Sequence, residues 1–331
     1  MINNLLTKIK RMKYYSLLKK ASLLVALVFI TTTISSCSME EEANAKKSSI
    51  TGVVQSQSNL TLLGIALDRT NLLATLDAQG TYTLFAPTDT AFNTFLATNG
   101  FASINDVPVP ILKEILLNHV IAQTLNATDL PSNGYIKTLA TGTVSTNTLS
   151  MFVSKTNGVV LNDVAEVTSA NVLANNGIVH IVDAVIGLPT ITDHVVANPN
   201  LTSLVGVLTG PGQPDFVSTF SGTGPFTVFA PLNSAFTSLN SEIPGGIAGV
   251  SATNMTKILQ YHVVSNNILA ADLTEGQVVT TLEVPQSFTV LLSTGPKLKD
   301  VNNRKASVIT TDIQCSNGVI HLLSKVLLPT L

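Results

Sequence analysis

The sequence has no tryptophan and only two cysteines in 331 residues, and just 11% of it is charged. An average chain carries about 25% charge. The apolar share of 45% is ordinary, so Thr, Ser and Asn have replaced the missing charge rather than extra core. These shortages exclude a charge-rich disordered chain, a coiled coil and a typical nucleic-acid binder. Two cysteines exclude a disulfide-stapled mini-domain. The chain also lacks a Gly-x-Ser-x-Gly elbow, His-Glu-x-x-His, Cys-x-x-Cys, a P-loop and a dinucleotide fingerprint. Without these catalytic and cofactor signatures, neither an enzymatic activity nor a cofactor is expected.

What is present is unevenly distributed. Residues 1–36 contain Lys8, Lys10, Arg11, Lys13, Lys19 and Lys20 and no acid. The apolar run Ser22–Ile30 follows. A basic head before a short apolar run has the form of a secretory signal, and the run is shorter than the roughly 20 residues of a membrane span. Removing 1–36 leaves 12 basic against 20 acidic residues, a formal charge of -8, which disfavours nucleic acid as a partner. Ile34-Ser35-Ser36-Cys37 resembles the lipobox of bacterial lipoproteins. The resemblance implies cleavage before Cys37 and acylation of Cys37 with chains such as palmitate. Residues 37–49 then form the acylated cysteine and a flexible tether, since they have almost nothing to bury. The acidic run Glu40-Glu41-Glu42 directly after Cys37 resembles the surface-export signal of Bacteroidetes lipoproteins; an ordinary solvated linker is the alternative.

The remainder is a repeat. Phe85-Ala86-Pro87 recurs as Phe229-Ala230-Pro231, offset by 144; His119-Val120 recurs as His262-Val263, offset by 143. Asn176-Gly177-Ile178-Val179-His180 recurs as Asn317-Gly318-Val319-Ile320-His321, offset by 141. Two domain-sized copies therefore span 50–187 and 191–330, a tandem rather than a solenoid. The link Leu188-Pro189-Thr190 is short and should restrict their relative orientation.

Within one copy, Leu60–Leu76 is apolar at helical spacing, and Thr81–Ala86 alternates as a strand. Asp89, and Asn233 in the second copy, stand where an N-cap acceptor of the next helix belongs. Pro110–Ile121 forms a further helix with proline in its first turn. From Tyr135 onward short alternating segments follow, with Asn157-Gly158 and Asn176-Gly177 as hairpin turns. Helices first and strands later argue an α+β fold with antiparallel pairing.

These residues carry a family resemblance. Thr83–Phe92 and Val228–Phe236 resemble the first signature of the fasciclin domain family. Asn176–Val185 and Asn317–Val326 resemble the second, and Ile258–Val264 resembles the intervening Tyr-His motif. The resemblance covers 50–330. It implies two fasciclin-like domains, each a wedge of about seven mostly antiparallel strands packed with several helices. It also implies non-enzymatic, extracellular adhesion modules. The adhesion motif maps to Tyr261 and His262, and to Asn118 and His119 in the first copy, where Asn118 departs from the expected Tyr.

Four of the five histidines, His119, His180, His262 and His321, occupy two repeat-equivalent positions, leaving His194 alone. They could form a metal or acid/base pair in each domain, or they could be buried and satisfy backbone groups. The second reading is preferred, with no metal. His180 lies between Val179 and Ile181 on a core strand, and His119 has no Glu or second His at helical ligand spacing. Asp89, Asn233, His180 and His321 are thus structural motif residues. Cys315 is expected to be a buried free thiol. Exposed aromatic platforms for sugars are scarce, since only Tyr82, Tyr135 and Tyr261 remain after the leader.

The expectation is a non-enzymatic adhesion module in the cell envelope, attached to the outer membrane by its N-terminal lipid and exposed at the surface, with a protein or glycan partner. The alternative is a polysaccharide-handling accessory protein or enzyme with a site in the inter-domain cleft. Either way, Cys37→Ala should release the protein from the membrane fraction or block its maturation. Unchanged fractionation would refute the lipobox reading.

Overall fold

The structure, a computed structural model, describes residues 48–331 apart from Gln79 and Pro244. The leader 1–36 and Cys37 lie outside the described residues. Among the described residues no helix is long and apolar enough to cross a membrane.

The first repeat runs α1 (Ile50–Ser56), α2 (Thr61–Arg69), α3 (Leu73–Asp77), β1 (Tyr82–Pro87), α4 (Asp89–Thr98), α5 (Val109–Asn118) and β2 (Val120–Ile121). It continues through β3 (Asn133–Lys137), β4 (Ser150–Ser154), β5 (Val160–Leu161), β6 (Ala165–Ala174) and β7 (Gly177–Val182). The second repeat begins with α6 (Ile191–Ala197), α7 (Thr202–Leu208), α8 (Phe216–Ser221), β8 (Phe226–Pro231), α9 (Asn233–Glu242), α10 (Ala252–Tyr261) and β9 (Val263–Val264). It ends with β10 (Val278–Thr280), β11 (Ser287–Leu291), β12 (Lys297–Lys299), β13 (Lys305–Cys315) and β14 (Gly318–Leu323). The first sheet has the order β2-β1-β7-β6-β5-β4-β3, and the second repeats it as β9-β8-β14-β13-β12-β11-β10. The fold is thus α+β with two seven-stranded sheets, as the sequence implied.

The sheets are mixed. Strand β1 pairs antiparallel with β2 but parallel with β7, with Phe85 opposite His180. Strands β8 and β14 repeat the parallel pair with Phe229 opposite His321. Both faces of β1 are covered, as parallel pairing demands. Leu84 and Ala86 face the helical core with Leu63, Phe92 and Leu116, while Phe85 enters a second core with Met151, Val153 and Leu161. Val228 and Ala230 divide from Phe229 in the same way. The two-residue period of a strand sorts one apolar run into two cores.

Local chemistry revises several boundaries. The Leu60–Leu76 helix is broken between α2 and α3, where Asn71 adopts a φ of 56°. Pro110–Ile121 stops being helical at Asn118, because Val120 and Ile121 extend to pair with β1. Asp89 is not the N-cap of its helix. Thr88, in extended conformation, takes that role and accepts from Ala91 N at 3.2 Å. The Asp89 carboxylate instead accepts from Leu62 N at 2.7 Å. It supplies the start of α2, whose own N-cap Leu60 has no acceptor side chain. Asn233 does the same for α7, accepting from Ser203 N at 2.9 Å. Ser48 and Ser49, expected in the tether, are part of the fold. Ser49 caps α1 by accepting from Gly52 N, and Ser48 O accepts from Asn175 N.

Gly177 opens β7 against the backbone of β1: a Cβ there would lie 2.0 Å from Tyr82 O, and one on Gly318 would lie 2.0 Å from Phe226 O. No side-chain rearrangement relieves a clash with backbone. Gly177→Ala should therefore separate β1 from β7 and destabilise its domain by about 3 kcal/mol or more, read as a lowered urea midpoint. A midpoint within error of wild type would contradict the close approach.

Candidate functional site

The sequence motifs converge where the parallel strand pair meets the helices. His119 follows the last residue of α5. Its Nδ1 donates to Ile115 O at 2.7 Å, and its Nε2 accepts from Ile186 N at 3.0 Å. His262 repeats this with Ile258 O at 2.7 Å and Leu327 N at 2.9 Å. Each ring joins a helix end to the last segment of its own domain.

His180 stacks on Phe85 with ring centroids 5.4 Å apart, and His321 stacks on Phe229 at 5.2 Å. His180 Nε2 donates to Leu125 O at 2.9 Å, and Nδ1 accepts from Asn171 N at 3.2 Å. Asn171 has a φ of 62° at a register shift in β6. The histidine therefore holds a bulge. His321 does the same for Asp312, whose φ is 59°, with Nε2 donating to Ile268 O at 2.8 Å.

The asparagine that opens this motif is also a staple. Asn176 accepts from Ile50 N at 2.9 Å and donates to Leu76 O at 2.5 Å. Asn317 accepts from Ile191 N and donates to Phe220 O.

All four histidines are buried, and each spends both ring nitrogens on the backbone. The hydrogen-bond pattern selects the neutral Nδ1–H tautomer at His119 and His262 and the Nε2–H tautomer at His180 and His321. No lone pair is left for a metal or a substrate proton, so His119 and His180 do not form a reactive pair. Among the described residues no cluster of three His, Cys, Asp or Glu could hold a metal ion.

The positions of the family adhesion motif are interior as well. Tyr261 is fully buried; its OH donates to Ser287 O at 2.6 Å and accepts from Val301 N at 3.3 Å. Asn118 is also fully buried and donates to Gly187 O at 2.8 Å. None of Tyr261, His262, Asn118 and His119 is available to a macromolecular partner in the folded domain.

A second constellation, which the repeat reading passed over, lies between the domains. Lys137 Nζ donates to Asp312 O at 2.7 Å and to Ser150 Oγ at 3.1 Å. Gln314 N donates to Ser150 Oγ at 3.0 Å, and Ser316 N donates to Pro189 O at 2.7 Å. Tyr135 OH accepts from Asn198 Nδ2 at 3.1 Å, and its ring meets His194 edge-on at 5.5 Å. His194 is fully buried. Neither of its ring nitrogens completes a hydrogen bond of normal geometry, although the Ser150 backbone approaches closely enough to favour protonation. Cys315 is buried and free beside these groups, and burial pushes its thiol well up from the ordinary range. The sequence signal for His194 was that it is the one histidine without a repeat partner.

A fasciclin domain model matches residues 58–189 and again 199–329, and the chain belongs to the fasciclin domain family. It is 28% identical to human periostin over 266 residues, covering 79% of this chain and 30% of periostin. It is 36% identical over 143 residues to protein sll1483 of Synechocystis, covering 42% of this chain and 73% of that protein. The chain thus spans under a third of periostin. A solved domain pair from the insect cell adhesion molecule Fasciclin I aligns with a TM-score of 0.46 and 22% identity, covering 80% of this chain and 92% of that one.

Burial pushes His119, His194 and His262 down to about 4. The unfolded chain binds these protons near 6.5. Stability is therefore full above about pH 6.5 and is lost as pH falls toward 4, by about 3 kcal/mol per histidine at the low end. Unfolded carboxylates titrate near 4, so the upper part of this window isolates the histidines. The urea midpoint should fall between pH 6.5 and 4.5, and less steeply in His262→Gln, which is also weaker at pH 7. A flat midpoint across that range would contradict neutral burial.

Proposed function

We propose that the chain is a lipid-anchored, non-enzymatic interaction module of a bacterial cell envelope. It is held at Cys37 after removal of 1–36 and presents two fasciclin domains beyond the membrane through a tether of about ten residues. The acidic run after Cys37 supports the outer membrane and surface exposure as its destination. The observation that carries the non-enzymatic reading is internal consumption of the reactive groups. The four repeated histidines and Tyr261 make their hydrogen bonds to the chain's own backbone.

Adhesion is the activity that membership of the fasciclin domain family suggests, and it suits a tandem of stiffly joined domains. The surface offered to partners is rich in hydroxyl and amide groups and poor in charge. Contacts made by such a surface depend little on salt. The partner class is a protein or glycan of a neighbouring surface or matrix.

Cells lacking the chain should lose contact with matrix-coated surfaces or with one another and regain it on complementation. Tyr261→Phe should restore contact fully while lowering stability by about 1 kcal/mol, since it removes one buried hydrogen-bonding group. Unchanged contact in the deletion strain would sink the adhesion reading. Hydrolysis of a polysaccharide by the purified chain would sink the non-enzymatic one.

A further inference from the structure

The joint between the two domains has an inserting side and a receiving side. The first domain inserts the outward face of its β3–β4 hairpin, with Tyr135, Lys137 and Ser150. The second receives it on β13 and the end of α6: Ser150 Oγ accepts from Gln314 N, Lys137 Nζ donates to Asp312 O, and Tyr135 OH accepts from Asn198 Nδ2. Strand β13 can receive because it pairs with β12 only over Lys305–Ser307 and runs on to Cys315. Beyond Val308 that edge has no strand of its own sheet beside it. The docked hairpin covers it, and Gln314 and Cys315 are buried.

Because the domains are repeats, each side of this joint has a second version that the chain itself leaves free. Strand β6 pairs with β5 only at Ala165 and Glu166, so its later half has the same open edge as β13. Here Ser169, Ala170, Asn171 and Leu173 are exposed, and Leu173 stands where Gln314 is buried. Asn171 and Asp312 share a left-handed φ, and Leu173 and Gln314 share a register, opposite Ile178 and Val319. Leu173 N and Asn171 O therefore face outward as Gln314 N and Asp312 O do. The inserting side is free on the second domain. Val279 opposite Phe288 matches Ile136 opposite Met151, which puts Val278 in the place of Tyr135, Thr280 in that of Lys137 and Ser287 in that of Ser150. Val278 is 64% exposed.

We propose that the free edge of β6 receives the free β10–β11 face of a second copy of this chain, so that copies join head to tail. An open strand edge without charge or proline is a surface that natural proteins cover, and the internal joint shows what covers it in this fold. Leu173 N donates to Ser287 Oγ, the same group that Ser150 supplies internally. Thr280 Oγ1 donates to Asn171 O in place of the Lys137 ammonium. Val278 lies against α1 at Val53 and Gln57, the counterparts of His194 and Asn198. Residues 50–57 and 168–175 hold no charged side chain, and neither do 278–280 and 287–291. The contact therefore desolvates no ion and meets no repulsion. Its two sides differ, so it does not close on itself, and copies extend into a row. The loop between β10 and β11 has six residues where that between β3 and β4 has twelve. The internal contact of Thr143 Oγ1 with Ser316 O then has no counterpart. The joint between copies is accordingly weaker than the internal one and forms where copies are concentrated. The inference deepens the interaction-module reading by naming a partner, and rests on it only for what the row does in a cell.

The test is sedimentation equilibrium of residues 38–331, which keep both domains whole. The average mass should rise from one chain toward two and more between about 10 μM and 1 mM. Leu173→Lys and Val278→Lys, both at exposed positions, should each hold the chain monomeric with an unchanged urea midpoint. Ile111→Lys, at an exposed residue of α5, should associate as wild type does. Each of the two blocked variants keeps one good side, so their mixture should associate again but stop at pairs. A monomeric wild type, or association undiminished in both variants, would overturn the joint. Loss in both variants with no pairing in the mixture would mean a symmetric contact and would overturn the head-to-tail arrangement. A monomeric wild type whose cell contact is nonetheless lost in Leu173→Lys assigns the edge to another protein; it overturns the second copy and leaves the interaction-module reading standing. Association with no contact defect in the deletion strain upholds the joint and sinks that reading instead.

Discussion

The fold depends on a requirement that buried backbone groups be paired where regular pairing fails. Three such places recur in each domain: the end of α5 or α10, the bulge in β6 or β13, and the junction where α1 or α6 begins. At each, one side chain carries both a donor and an acceptor to the exposed backbone. His119 and His262 serve the first, His180 and His321 the second, Asn176 and Asn317 the third. Imidazole and carboxamide suit this task because each gives and accepts while neutral. Neutrality is also what permits complete burial without a charge to desolvate. The same requirement removes these four histidines from any catalytic role, since a ring whose two nitrogens are committed has nothing left for chemistry.

The two domains share this scaffold and differ where it meets solvent or the other domain. Cys315 and Gln314 are buried in the second domain, while Leu173 at the matching position of the first is 54% exposed. Lys137, Tyr135 and Ser150 of the first domain meet backbone and side chains of the second. That contact, together with the short link, gives a tandem with a defined orientation rather than two tethered beads. Such a pair holds its two domains in one fixed relation.

Much of this was legible in the sequence. The repeats, the α+β class and the helix-then-strand order followed from spacing, because apolar periodicity reports local conformation. The burial of His180 followed from its apolar neighbours on a strand. Other readings failed for stated physical reasons. Asp89 had the right residue type for a cap, but which helix it caps is a tertiary matter, and the neighbouring Leu60 left a vacancy 27 residues away. Tyr261 and His262 matched a motif associated with adhesion, yet a motif states residue type and not exposure. His194 had no repeat partner, and only the docking of one domain on the other buried it.

By itself the sequence determined that the chain is a tandem of two α+β domains, that the second half of each is strands, and that a basic N-terminal stretch precedes an acidic remainder. Those properties are written in local pattern and charge. The tertiary structure alone decided that β1 and β7 run parallel, that the motif side chains turn inward, and that Lys137 and Ser150 of the first domain meet the backbone of the second. Each of these joins residues tens of positions apart, through hydrogen bonds and packing that no window of sequence contains.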